Sequence, residues 1–164
     1  YTDKVGDGAG VFKSTDRGNN WTQINNGLDS LETNILTVDP NDSETLYLGT
    51  DDDGVYKSTD GGESWKKLTV SSIPKSFGVG DIIVDPQNSN NIYIGTVDYF
   101  RLSESRGVLG DFGVYKSTDG GATWEEFNVG LNHLGVFSLE LSEENRILYA
   151  GTRAGGVYWI SLDN

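Results

Sequence analysis

The sequence has no cysteine and no methionine, only three prolines, and a single histidine in 164 residues. Without cysteine there is no disulfide, no thiolate metal ligand and no thiol nucleophile. With His133 as the sole histidine, no Ser-His-Asp set can be argued. Opening on Tyr1 without a methionine reads as a processed or truncated chain, with any signal peptide removed. No stretch approaches the roughly 20 apolar residues of a membrane span. Positive charge is also scarce: 12 basic against 25 acidic residues leave a formal charge of −13. That balance supplies no basic footprint for nucleic acid and is repelled by an anionic membrane, so neither is expected as a partner. A sustained 3.6-residue apolar period is missing too, which argues against helix. Apolar residues make up 35% of the chain while glycine numbers 22 and aromatics hold 11%. Short strands joined by tight turns fit that mixture.

What is present is a repeat. Gly10-Val11-Phe12-Lys13-Ser14-Thr15-Asp16-Arg17-Gly18-Asn19-Asn20-Trp21 returns as Gly54 to Trp65 and again as Gly113 to Trp124. Upstream of the latter two, Val38-Asp39-Pro40 with Leu46-Tyr47-Leu48-Gly49-Thr50 matches Val84-Asp85-Pro86 with Ile92-Tyr93-Ile94-Gly95-Thr96. A worn copy closes the chain, with Leu148-Tyr149-Ala150-Gly151-Thr152 and then Gly156 to Ser161. Each unit reads as four strands, a to d; in the middle unit these are 35–39, 45–49, 54–58 and 64–68. Ser14 and Ser58 stand 44 residues apart, the spacing of a four-stranded propeller blade. Pro40 and Pro86 close strand a, where a missing N–H is harmless. The expected division is a partial blade over 1–28, blades over 29–70 and 71–130, and a terminal partial blade over 131–164.

The Ser-x-Asp-x-Gly-x-x-Trp pattern reads as the c–d hairpin. It comprises Ser14, Asp16, Gly18 and Trp21; Ser58, Asp60, Gly62 and Trp65; and Ser117, Asp119, Gly121 and Trp124. The carboxylate and, more weakly, the hydroxyl can accept backbone N–H groups of the turn. The glycine supplies a left-handed conformation without a Cβ clash, and the Trp returns a large apolar face to the hairpin. Three aspartates invite a metal or acid–base reading, but each lies in its own blade and they cannot converge. Asp51-Asp52-Asp53 lacks the ligand ladder and closing Glu of a calcium loop. A solvated turn is the reading taken for it, and neither metal nor cofactor is expected.

These residues resemble the Asp-box, or bacterial neuraminidase repeat, motif, over nearly the whole chain. That motif occurs in sialidases, sortilin-type receptors, xyloglucan-degrading glycoside hydrolases and photosystem II assembly factors. The wording here is most similar to secreted, glycosyl-hydrolase-like bacterial propellers. The resemblance implies an all-β propeller, boxes that are mainly structural at the blade periphery, and an extracellular or periplasmic location.

In an antiparallel meander, loops b–c and d–a share one end and loops a–b and c–d the other. A ligand end built from variable loops is therefore the one opposite the boxes. The b–c loop grows from three residues after Thr50 to sixteen after Thr96, covering 97–112. Insertions in repeats map to binding faces. Tyr99, Phe100, Arg101 and Arg106 of that insertion, with Lys75, His133 and Arg153 on the same end, are the expected ligand contacts, for a sugar or a protein.

Catalytic signatures are thin. The five arginines are scattered and the Arg-Ile-Pro signature of sialidases is absent. A xyloglucanase-like site needs two acids facing across a cleft to activate water. Gly80-Asp81-Ile82 resembles the Gly-Asp-Val-Gly-Gly setting of one such acid, but Ile83 and Val84 replace its glycines, and Asp81 reads as a strand-a entry residue. About three and a quarter blades are encoded, fewer than the four to eight of a closed propeller. Further blades or self-association would have to complete the ring. The leading expectation is a non-catalytic binding or scaffolding segment. The alternatives are part of a xyloglucanase-like glycoside hydrolase with the rest of its site elsewhere, and a protein-assembly factor.

Overall fold

A computed structural model describes residues 8–73, 77–98 and 110–163. They form thirteen strands and no helix. The strands are β1 (Phe12–Lys13), β2 (Thr22–Gln23), β3 (Thr33–Asp39), β4 (Asp42–Thr50), β5 (Val55–Ser58), β6 (Lys66–Lys67) and β7 (Gly78–Val84). β8 (Ile92–Val97), β9 (Val114–Ser117), β10 (Glu125–Glu126), β11 (Val136–Ser142), β12 (Ile147–Thr152) and β13 (Gly156–Ser161) follow. Sheets β3-β4-β5-β6 and β7-β8-β9-β10 are four-stranded antiparallel meanders. They are flanked by the two-stranded β1-β2 and the three-stranded β11-β12-β13.

Alternation explains the strand faces and burial explains the order of strands within a sheet. β8 is buried at every position, as a second strand covered by sheets on both sides must be, while the short fourth strands β6 and β10 are exposed. Sheets stack through their first strands: β7 packs on β3 and β4, and β11 on β7 and β8. Gly49 and Gly95 permit that approach. A Cβ at Gly49 would lie 2.8 Å from Val79 of the next sheet, and one at Gly95 would lie 2.6 Å from a Val136 methyl. The core divides into three apolar clusters at the boundaries between sheets, each seated where one sheet's strands meet the next.

Polar latches tie the sheets together, of one kind at the first two boundaries and another at the last two. Lys13 Nζ donates to Gly61 O at 3.1 Å, and Lys57 Nζ to Gly120 O at 3.0 Å, tying each third strand to the next sheet's turn. At the a–b turns the buried Asp39 accepts from Ser89 Oγ at 2.7 Å. Asp85, fully buried, takes a bidentate pair from Arg146 at 2.9 and 2.6 Å. Such a fork-on-fork pair fixes direction as well as charge. Burial pushes the Asp85 carboxyl up, and Arg146, the Gln87 N–H and the Asn91 amide outweigh it, leaving the group below the usual range.

Candidate functional site

The two ends of the sheets are chemically distinct. On one end the hairpin turns meet the a–b turns of their own sheet, through Gly61 N to Glu44 O and Gly120 N to Asn90 O. In every box the Ser hydroxyl accepts the glycine N–H, at 2.8 Å for Gly18 and 2.9 Å for Gly62 and Gly121. The carboxylates of Asp16, Asp60 and Asp119 accept the backbone N–H of Asn20, Ser64 and Thr123 at 2.8, 2.9 and 2.8 Å. The Ser64 side-chain hydroxyl heads the bonds that hold Asp60 down at about 2, and the Thr123 hydroxyl does the same for Asp119, also at about 2. Asp16 is lowered chiefly by the Asn20 backbone N–H. Gly18, Gly62 and Gly121 carry φ values of 86°, 90° and 93°, the left-handed region the turn requires. These carboxylates are spent on their own turns, so among the described residues this end offers hairpins and no reactive cluster.

The opposite end carries the b–c and d–a loops. Gly54 N bonds to Phe77 O and Gly113 N to Leu134 O, so these two b–c loops lean on the d–a loop that follows them, while Arg153 N bonds to Gly135 O of the d–a loop before its own sheet. The threonine that ends each second strand closes its b–c loop: Thr50, Thr96 and Thr152 donate to the carbonyls of Gly54, Gly113 and Gly156 at 3.0, 2.9 and 2.9 Å. Thr96 does so across the whole long insertion. Sequence reading recorded the Gly-Thr pair without giving the hydroxyl a task; its recurrence before a glycine-led strand was the available signal. A second missed device is Asn25 and Asn128, whose amides bridge the loop before β1 and β9 by accepting Val11 N and Val114 N at 2.7 Å.

The first strands β3, β7 and β11 each carry a register shift at the same point, between Thr33 and Ile35, Val79 and Asp81, and Val136 and Ser138. Asn34, Gly80 and Phe137 are the extra residues, and bulges of this kind re-aim side chains. Asn34 and Phe137 are exposed there. Asp81 sits next to its bulge: one oxygen accepts Ile82 N and the other accepts Leu139 N of β11, both at 2.8 Å. Burial raises its carboxyl, opposed by those two bonds. Arg153 lies across this wall. Its guanidinium stands 5.2 Å from the Phe137 ring centroid and donates to Asp98 O, while Nε is buried without a hydrogen-bond partner among the described residues. His133 is exposed, its ring pressed against Gly155, where a Cβ would lie 2.1 Å from Cδ2. Arg153 and His133 thus share the loop end with Phe137 and Asp98, whereas Tyr99, Phe100, Arg101, Arg106 and Lys75 lie outside the described residues.

At the b–c loop of the first complete sheet, Tyr56 donates to Asp53, which also pairs with Lys67, and Ser30 Oγ donates to Asp52 at 3.0 Å. Burial, with Glu32 and Asp52 nearby, raises Asp51.

Consecutive antiparallel four-stranded sheets, stacked through their first strands with every loop class kept to one end, define an all-β propeller of meander blades. No helix among the described residues is long and apolar enough to cross a membrane. The sortilin–Vps10 family model (sortilin, neurotensin receptor 3) matches residues 9–158, and the chain belongs to that family. A xyloglucanase of Acetivibrio thermocellus, Xgh74A, is 36% identical over 96 residues, covering 53% of this chain and 11% of the relative. The crystal structure of an ancestral GH74 enzyme superimposes with a TM-score of 0.69 at 25% identity, over 94% of this chain and 20% of that one. The chain therefore spans about a tenth of the curated relative's length and a fifth of the solved structure's.

Proposed function

We propose that this chain contributes blades to a carbohydrate-active propeller enzyme of the xyloglucan-cleaving type, acting outside the cell. The observation that carries the reading is the 36% identity to a xyloglucanase over 96 residues. It favours that reading over the purely non-catalytic role suggested by the missing signatures. Inverting hydrolysis of a glycan needs an acid and a base on opposite sides of the scissile bond. Both oxygens of Asp81 are engaged by backbone N–H groups, so Asp81 acts as a clamp between β7 and β11. The chain's own part is then the wall of the cleft: Asn34 and Phe137 at the bulges, Arg153 over Phe137, and the rim residues Tyr99, Phe100, Arg101, Arg106, Lys75 and His133. An aromatic face beside a guanidinium suits a sugar ring and its hydroxyls. The reacting acids belong to blades outside this chain.

Calorimetry with xyloglucan oligosaccharides, against unbranched β-glucan and sialylated oligosaccharides, tests the assignment. Selective binding of the xyloglucan fragments, weakened by Arg153→Ala, is expected; binding of none of them contradicts it. A binding-only role is the second reading, favoured by the engaged state of Asp81; release of new reducing ends from xyloglucan by a longer chain that includes the neighbouring blades excludes it.

A further inference from the structure

The repeat is its own control for the outer rim. The short fourth strands hold one place in three successive units, yet they read Thr22-Gln23, then Lys66-Lys67, then Glu125-Glu126, all exposed. Charge of either sign guards a free sheet edge, so guarding leaves the choice of lysine in the middle unit unexplained. Lys57, Lys66 and Lys67 gather three of the chain's twelve basic residues on β5 and β6, in a chain of formal charge −13. Beside them lies an open groove of about 580 Å³, between the two four-stranded sheets, to which neither the first nor the last sheet contributes. Lys57, Lys66 and Leu68 stand on one wall and the turn from Asp119 to Ala122 on the other. Lys57 Nζ is held on Gly120 O at 3.0 Å and Lys67 pairs with Asp53. Lys66, exposed on the groove, meets no carboxylate among the described residues. Asp119 is occupied, accepting the N–H and hydroxyl of Thr123 at 2.8 and 2.5 Å.

The edge of β6 already takes main chain: Trp65 N donates to Asn26 O of the preceding loop at 2.8 Å. Leu68 N donates inward to Val55 O, so antiparallel alternation turns the N–H and C=O of Lys67 outward. We infer that this edge and groove dock an extended segment of a partner protein in which an apolar residue stands two places before a glutamate or aspartate. Lys67 supplies the main-chain bonds, Leu68 and Ala122 receive the apolar side chain, and Lys66 receives the carboxylate with Lys57 behind it. Antiparallel pairing sets that order, because the residue facing Leu68 precedes the one facing Lys66 by two. Main-chain pairing gives affinity and the side-chain contacts give selectivity. At the next rim Glu125 and Glu126 stand where the lysines are and repel the same ligand.

A synthetic peptide Thr-Leu-Thr-Glu-Thr, blocked at both ends, provides the probe, titrated into the full chain with amide hydrogen exchange as the readout. Binding should slow exchange of the Lys67 amide. Glutamine in place of the peptide's glutamate should weaken binding about three- to fivefold, the size of an exposed ion pair. Lys66→Glu should do at least the same, and a peptide with lysine in place of glutamate should recover binding to that variant. Lys66 is exposed and holds no latch, so the variant should fold as the parent does. Added salt should weaken binding, because the attraction is local to the lysines. No binding at millimolar peptide, equal binding of the glutamine peptide, or protection away from β6 overturns the inference. Binding that strengthens with salt does so too, since the overall charge of −13 would then govern the encounter. In a longer chain that includes the neighbouring blades the peptide should still bind; loss of binding there shows the groove covered by the chain itself and overturns a partner's role.

Discussion

Trp21, Trp65 and Trp124 occupy the same position of one motif, yet Trp21 is 63% exposed while the others are 5% and 8%. The difference lies in what stands before them: Trp65 rests on the preceding two-stranded sheet and donates its indole N–H to Ile24 O at 2.8 Å. Trp65→Ala should therefore cost about 3–5 kcal/mol, the range for an aromatic core truncation, and Trp21→Ala no more than about 0.5 kcal/mol. Chemical denaturation of the two variants checks the contrast. The box carboxylates carry a pH signature. Asp60 and Asp119 titrate near 2 when folded, below the ordinary 3.8, so the folded state binds fewer protons than the unfolded one between those values. Their stabilisation is complete above about 4 and disappears as the pH falls toward 2. Melting temperature against pH should flatten over that window in the Asp60→Asn, Asp119→Asn double variant. Arg17 has φ 61° where the sister boxes have Gly61 and Gly120, so Arg17→Gly should raise stability, by up to about 1 kcal/mol.

Strands and turns were the most legible part of the sequence, because the side chains that specify them act within a few residues. The fourth strand of the middle unit, expected over 64–68, is regular only over Lys66–Lys67, since the box turn and the tryptophan claim its start. What stayed hidden was action at a distance. Nothing near Asp85 in sequence names Arg146 as its partner 61 residues on. The bulges at Asn34, Gly80 and Phe137 have no common residue type to reveal them. Arg153 was legible as a loop residue but its stacking on Phe137 was not, because it depends on how adjacent sheets align. The Asp85–Arg146 latch gives the element-scale prediction: Arg146→Ala leaves a buried carboxylate unpaired and should cost about 3–5 kcal/mol. Asp85→Asn combined with Arg146→Ala should recover part of that loss. A double-mutant cycle by denaturant unfolding measures it.

At the scale of the molecule, the sheets form an arc with one chemically quiet end and one variable end. Apolar residues remain exposed beside the incomplete sheets, Leu36 and Val38 on β3 next to the two-stranded sheet and Val157 and Trp159 on β13, where neighbouring strands would cover them in a continued ring. The sorting of loops by end follows from antiparallel connection alone, which is why it was foreseeable. Ligand chemistry was not, because it depends on the wall made by three first strands and on loops from different blades. The proposed function places glycan contact on β3, β7 and β11 and the b–c rim, and leaves the box hairpins untouched. Amide hydrogen exchange of the chain with and without a xyloglucan oligosaccharide tests that most directly. Slowed exchange around Asn34, Phe137 and Arg153, with the turns at Asp16, Asp60 and Asp119 unchanged, is the predicted footprint. Protection at the box turns, or no protection anywhere at saturating oligosaccharide, would contradict it.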